Sequence, residues 1–177
     1  MNDPKQQIVV WCRDGDQHAF RSFYREQSGK LWKFLIARGC DRETAYDLLA
    51  EAFLRFVQNV CRDPHAPVAL LYRIALNLRV DAYRRERTAA TDAVDDLEGL
   101  QVPSPEEPED YPHLRALVKT LPKSEQNLLL IRYWIGLSHK EAAQALGLPE
   151  GTVRRQCAEL VAKLRDRWSE DETPRTD

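Results

Sequence analysis

Residues 68–87 read VALLYRIALNLRVDAYRRER, and the way this stretch repeats decides the fold. Leu71, Ile74, Ala75, Leu78 and Ala82 recur at i, i+3, i+4, i+7 and i+11, which sets them on one side of an α-helix as a core face. Tyr72, Leu76, Val80 and Tyr83 form a second apolar stripe beside it. Arg73, Asn77, Asp81 and Arg84 are then the polar stripe that remains, and the pattern predicts a helix buried over most of its circumference. The stretch ends in Arg84, Arg85 and Arg87. Two readings fit this ending. The arginines complement the negative end of the dipole of a core helix, or the polar stripe and the cations together form an edge for nucleic acid.

Working outward toward the start of the chain, residues 5–13 predict a short helix closed by an Asp14-Gly15 turn. Asp16 is placed to cap a longer helix running to about Ala37, in which Phe20, Phe23, Tyr24, Leu31, Phe34 and Leu35 recur at helical spacing. Gly39 and Cys40 break it. Asp41 can cap the next helix, about 42–60, with Ala45, Leu48, Leu49, Ala52, Phe53, Phe56 and Val57 as its buried face. The outer face of that helix offers Asp47, Glu51 and Arg55 at steps of four, which fits either ordinary intrahelical charge pairing or a docking edge for a protein partner. Residues 62–67, with Pro64 and Pro67, predict a loop.

Working outward toward the end, residues 88–112 carry Asp92, Asp95, Asp96, Glu98, Glu106, Glu107, Glu109 and Asp110 with no lysine or arginine, and Pro103, Pro105, Pro108 and Pro112 lie among them. Such a segment cannot bury a core of its own and predicts a flexible acidic linker. It serves either as a solvated tether or as a nucleic-acid mimic that shields basic surfaces. Helical patterning resumes at His113. A short helix reaches Leu121, and Pro122 suits the first turn of a second, 123–135, rich in Leu128, Leu129, Ile131, Tyr133 and Trp134. After Gly136, Ser138 and Glu141 have the spacing of a capping box for a third helix, and Gly147 is its expected left-handed stop. A fourth helix spans about 150–168, with Val153, Cys157, Leu160, Val161 and Leu164 inward. No strand-like alternation occurs.

A short helix, a glycine turn and a longer helix make a helix-turn-helix, which places its second helix in a major groove. The early turns of that helix hold Glu150, Gly151, Thr152, Arg154 and Arg155. Arginine can hydrogen-bond two acceptors on guanine, and threonine can meet a thymine methyl or a phosphate. A plain helical hairpin is the other reading of this segment taken alone.

The net charge of −2 conceals a division along the 177 residues. The linker holds eight carboxylates, and the tail 169–177 holds four against one arginine. The remainder is basic, by four charges over residues 1–87 and five over 113–168. No run approaches the roughly 20 apolar residues that cross a bilayer, and MNDPKQQIVV lacks the basic start of a secretory leader. A cytoplasmic protein without membrane insertion is therefore expected. Cys12, Cys40, Cys61 and Cys157 are dispersed, with no histidine at ligand spacing, so they are read as free, mostly packed thiols, with neither a zinc site nor a disulfide expected. His18, His65, His113 and His139 are scattered as well, and neither a glycine-rich phosphate loop nor a nucleophile–base set is present. The expectation is a protein that is not an enzyme and needs no cofactor.

Three segments point to one family. GDQHAFRSFY (15–24), LLYRIALNLRVDAYRR (70–85) and LP (121–122) followed by GLSHKEAAQALGLPEGTV (136–153) stand in the order and spacing of the sigma-70-type initiation factors of bacterial RNA polymerase. The chain resembles their compact two-domain form, the extracytoplasmic-function group, over about residues 10–168. The resemblance implies an all-α protein of two small helical domains joined by an acidic, proline-rich linker. Residues 1–87 would bind core polymerase and the minus-ten element, 88–112 would be the linker, 113–168 the helix-turn-helix domain for the minus-thirty-five element, and 169–177 an acidic tail.

Position by position, the resemblance implies that Asp47, Glu51, Phe53 and Arg55 dock on the clamp helices of the largest polymerase subunit. It also implies that the flap region is a second contact. The loop 62–67 and Asn77, Asp81, Arg84 and Arg85 fall on the elements that capture the non-template strand of the minus-ten element. Melting a duplex requires a basic track for the backbone and a surface for an unstacked base, to which Tyr72 and Tyr83 could contribute if their stripe is not packed inside. Thr152, Arg154 and Arg155 fall on the duplex-reading helix. An anti-sigma protein or other regulator is the further partner implied.

Departures from the family pattern carry information too. The acids and glutamine common before the docking phenylalanine are replaced by Thr44-Ala45-Tyr46-Asp47 and Ala50, so that surface is less negative. Phosphorylation of Thr44 would restore charge, since a phosphate adds between one and two negative units; the other reading has Thr44 supporting its helix's first turn. In the duplex-reading helix, Gln156, Ala158 and Glu159 replace residues that are commonly basic, which implies an unusual promoter sequence. Leu70 and Leu76 stand where a tryptophan and a basic residue are common. A helix-turn-helix regulator acting without polymerase is the alternative function, and it leaves residues 70–85 unexplained.

Overall fold

Local capping chemistry starts the first three helices of the amino-terminal unit in the computed structural model, which describes residues 3–89 and 112–171. Asp3 accepts from the Lys5 amide (3.0 Å), Asp16 from the His18 amide (2.8 Å) and Asp41 from the Thr44 amide (2.7 Å). Each carboxylate satisfies a donor that the first helical turn leaves without an intrahelical partner. The helices they open are α1 (Pro4–Asp14), α2 (Gln17–Ala37) and α3 (Arg42–Asn59). Gly15 ends α1 at φ 69°, and its amide returns to the Trp11 carbonyl. A single 3₁₀ turn, Val60–Arg62, follows α3, and α4 runs Pro67–Ala89.

Aromatic rings hold these helices together. Phe23 and Phe56 stack at 5.1 Å, and Phe34 meets Tyr72 edge-on at 5.1 Å. All four are fully buried, together with Ile8, Leu31, Leu35, Val60 and Leu71. Burial pushes the Tyr72 phenol well above its ordinary value. Arg38 is also buried, at the end of α2, and the Arg79 guanidinium donates to its backbone carbonyl, which ties α4 to that corner. Burial, and then the charge of Arg79, lowers the Arg38 guanidinium to about 10.

The second unit begins with α5 (Pro112–Lys119) and α6 (Lys123–Leu129). Pro122 precedes α6 as its cap rather than lying in its first turn. The expected uniform helix to 135 is not what forms: residues Leu130–Trp134 are π-helical, with the Ile135 amide bonded to the Leu130 carbonyl at 2.8 Å. Widening the turn keeps Ile131 fully buried while Tyr133 and Trp134 stand 53% and 42% exposed. Then come α7 (His139–Leu146) and α8 (Glu150–Asp171). The Lys163 ammonium reaches Glu125 at 3.0 Å and pins α8 to α6. The described residues are helices, turns and connections, an all-α fold.

By contacts the chain divides into two compact units, residues 1–105 and 106–177. Most of the 88–112 segment lies outside the described residues, although α4 extends to Ala89 and α5 starts at Pro112. Helix α8 continues to Asp171, into the segment read as a tail, and residues 172–177 lie outside the description.

Three expectations about side-chain placement need correction. Val57, assigned to the buried face of α3, is 39% exposed. The second stripe of α4 is buried only at Tyr72; Val80 and Tyr83 are open to solvent, because every buried residue of α4 lies at or before Leu78. The cysteines are not all free. Cys12 and Cys61 form a disulfide, with Cα atoms 5.4 Å apart, because the fold lays the last turn of α1 against the 3₁₀ turn, a proximity that 49 residues of separation hide. Cys40 and Cys157 are free and buried, as expected.

Candidate functional site

The end of α4 is built by what the core leaves uncovered. From Arg79 onward no described side chain of this helix is buried, so Asp81, Tyr83, Arg84, Arg85 and Arg87 project from the end of a helix whose earlier turns are anchored in the core. Asn77 is exposed one turn before them. Tyr83, at 48% exposure, is therefore an aromatic face beside two exposed arginines, a combination that can stack an unpaired base while holding its backbone. Tyr72 is excluded from that role by its burial. Ahead of α4, Arg62, Asp63 and His65 are exposed in a short loop held by local bonds: the Asp63 amide to the Val60 carbonyl (3.2 Å) and the His65 amide to the Asp63 carboxylate (3.3 Å).

On α3 the residues assigned to docking do not all reach the surface. Asp47 and Arg55 are exposed and Glu51 is half-buried, with Arg55 Nε and Glu51 Oε1 paired at 2.7 Å. Phe53 is 6% exposed and packs edge-on against Tyr24 at 4.7 Å, so it belongs to the core beneath this face. The face itself is more apolar than the charge pattern suggested. Tyr46 and Leu54 are 61% and 62% exposed, and Tyr46 rests on Trp32 at 5.7 Å. These two are the residues that sequence reasoning missed, since it sorted α3 by charge. Thr44 is half-buried; its hydroxyl donates to Asp41 Oδ2 at 3.1 Å within the cap.

In the second unit the helix-turn-helix has the local chemistry its sequence requires. Ser138 accepts from the Glu141 amide at 3.2 Å, and the Glu141 carboxylate accepts from the Ser138 amide at 3.0 Å, closing the capping box. Gly147 ends α7 at φ 67°, a conformation that costs a side-chain-bearing residue roughly 1–2 kcal/mol. Helix α8 then starts with Glu150, and Val153, Cys157 and Leu160 face the core. Thr152 is half-buried, whereas Arg154 and Arg155 are exposed on the outer side. Each arginine has an intrahelical carboxylate partner, Glu150 at 2.6 Å from Arg154 and Glu159 at 3.8 Å from Arg155. Exposed pairs of this kind are weak and can be exchanged for phosphate or a guanine edge at little cost.

Comparison with known proteins agrees with this geometry. Residues 113–164 match the family model for sigma-70, region 4. The chain is 25% identical over 154 residues to the RNA polymerase sigma-E factor of Streptomyces coelicolor, covering 86% of this chain and 87% of that one. It is 27% identical over 152 residues to the ECF RNA polymerase sigma factor SigM of Mycobacterium tuberculosis, covering 85% of this chain and 77% of that one. Among solved structures, the sigma factor RpoE of Bartonella quintana, determined with the anti-sigma factor NepR, superposes with a TM-score of 0.67 at 16% identity, over 86% of this chain and 98% of that one. CnrH, solved with the cytosolic domain of CnrY, superposes with a TM-score of 0.61 at 19% identity, over 96% of this chain and all of that one. At these identities the solved structures establish a shared fold. With the ordered motifs, the helix-turn-helix and the relatives taken together, the chain is similar over most of its length to sigma-70-type RNA polymerase factors of the extracytoplasmic-function group.

Proposed function

We propose that this protein is a transcription initiation factor that binds core RNA polymerase, directs it to a set of promoters and helps to open the DNA. The observation that carries this reading is one chain holding both a helix-turn-helix with exposed arginines on α8 and a free-standing helix end with Tyr83, Arg84 and Arg85 on α4. The first suits duplex DNA and the second suits a melted strand. The factor contributes binding energy rather than a reaction of its own, and it acts in the cytoplasm, where polymerase meets the chromosome. Residues 1–87 and 113–168 are the proposed working domains, with 88–112 as their tether and 169–177 as a tail.

Within the first domain, Asp47, Glu51 and Arg55, with Tyr46 and Leu54, form the proposed surface for the clamp helices, and Phe53 supports it from beneath. Asn77, Asp81, Arg84 and Arg85 are assigned to the minus-ten strand with Tyr83, and Thr152, Arg154 and Arg155 to the minus-thirty-five duplex. Tyr133 and Trp134, turned outward by the π-helical segment, suit a contact with the polymerase flap. An anti-sigma protein is the proposed regulator. The modest net charge fits a protein that meets DNA as part of a larger complex, since each phosphate neutralised by a free protein would add to its salt sensitivity.

Phosphorylation of Thr44 belongs to this proposal as a way to add negative charge to the clamp-facing helix. Thr44→Glu is expected to raise transcription from a reconstituted polymerase by about 1.5- to 5-fold, the effect of one exposed charge pair worth ~0.2–1 kcal/mol. Transcription no higher than that of the unmodified protein removes Thr44 as a modification site. The function as a whole is tested by size-exclusion chromatography of the full chain with core polymerase. Co-elution supports it, and separate elution leaves only the helix-turn-helix regulator.

A further inference from the structure

We propose that Cys12 and Cys61 form a thiol–disulfide switch that fixes the loop ahead of α4 and thereby sets how efficiently the protein opens promoters, an inference that rests on the role given above to that loop. The bond joins the last turn of α1 to the middle of the 3₁₀ turn Val60–Arg62. Val60 is fully buried and Pro67 is buried where α4 begins, but Arg62, Asp63 and His65 between them are exposed. The disulfide thus adds a covalent anchor at the upstream edge of a segment otherwise held by short-range hydrogen bonds.

Accessibility makes the chemistry selective. Cys61 is exposed and Cys12 half-buried, whereas Cys40 and Cys157 are buried, and burial raises both of those thiols. A small disulfide of the glutathione type therefore meets Cys61 first. The Cys61 thiolate attacks one sulfur of that reagent, forming a mixed disulfide and releasing one thiolate. The Cys12 thiolate then attacks the Cys61 sulfur, the intramolecular bond forms, and the second glutathione thiol leaves. Two electrons and two protons pass from the protein to the reagent, and reduction reverses each step. In a reducing compartment, a disulfide with one exposed cysteine has the properties of a sensor rather than a permanent staple.

Oxidation holds the loop in place before the strand arrives, so less freedom is lost on capture and opening is favoured. The test uses the full chain equilibrated in glutathione buffers of graded ratio, denatured and labelled with a maleimide, then assayed with core polymerase on a duplex promoter. The oxidised chain should take two labels and the reduced chain four, one for each of its four cysteines. Reduction should lower open-complex formation by about 3- to 10-fold, the effect expected from freeing one or two ordered side chains' worth of motion, while binding to core polymerase stays the same. The Cys12→Ser/Cys61→Ser chain should hold the reduced level in every buffer. Four labels in every buffer, equal opening by both forms, or a redox response that survives in the double variant overturns the switch. If neither form opens promoters, the functional reading falls, and hydrogen exchange over residues 60–66 decides the switch separately. Exchange at least about threefold faster in the reduced chain sustains it, and unchanged exchange removes it.

Discussion

Phe56→Ala removes about 3–5 kcal/mol from the amino-terminal unit. The ring is fully buried, lies parallel to Phe23 at 5.1 Å with 6° between planes, and meets Phe53 edge-on at 6.2 Å. Truncation therefore loses the transfer energy of a whole aromatic side chain and leaves a cavity that three helices must collapse into. Against a domain stability of about 5–15 kcal/mol, that loss populates unfolded α3 and α4 and weakens both polymerase docking and strand capture. Val57→Ala, one residue along on the open side, costs less than about 0.5 kcal/mol. Hydrogen exchange read by mass spectrometry distinguishes the two. Peptides from α3 and α4 lose protection in the Phe56 variant, while those from α7 and α8 keep it. Loss of protection at α7 and α8 as well would contradict two separately stable units.

Arg154→Ala and Arg155→Ala each weaken binding of the polymerase complex to its promoter by about 1–3 kcal/mol, or roughly 5- to 150-fold. The two kinds of contact available to an arginine separate in the pattern of loss. A guanine contact relaxes preference at one base pair, whereas a phosphate contact weakens all sequences alike and lowers the salt slope by about one. Competition among promoter variants in the minus-thirty-five region, repeated at two salt concentrations, reads both. Because Glu150 holds Arg154 at 2.6 Å in the free protein, Glu150→Gln should strengthen binding slightly by freeing the guanidinium. Unchanged binding in both arginine variants would place the duplex-reading surface elsewhere on the second unit.

Which parts of this molecule were legible in advance follows from how local their causes are. Asp16, Asp41, the Ser138–Glu141 box and Gly147 act within three or four residues, and each helix boundary they mark is where the spacing put it. Most of the buried faces of α2 and α3 was legible because an amphipathic period survives any arrangement that covers one side, with Val57 at the open edge of α3 as the exception. What covers the other side is a tertiary matter. Tyr72 and Tyr83 lie on one stripe of α4, yet only Tyr72 has Phe34 against it. Phe53 looked like a docking residue by position, but Tyr24 folds over it. The π-helical turn at 130–134 depends on how Ile131 and Leu137 seat in the second core, and no residue within the segment announces it. The pairing of Cys12 with Cys61 depends on the packing of α1 against the turn after α3. Compartment chemistry argued against it, and proximity in the fold produced it.

The central claim is that two small helical units act together on polymerase and promoter, and run-off transcription tests it most directly. The full chain, oxidised and reduced, is added to core polymerase with a library of duplex promoter fragments, and the transcripts are sequenced. The account predicts transcripts that start downstream of one shared pair of sequence elements, require the added chain, and disappear with the paired Arg84→Glu and Arg85→Glu changes. Transcripts no different from those of core polymerase alone, in either redox state and with Thr44→Glu as well, would contradict it.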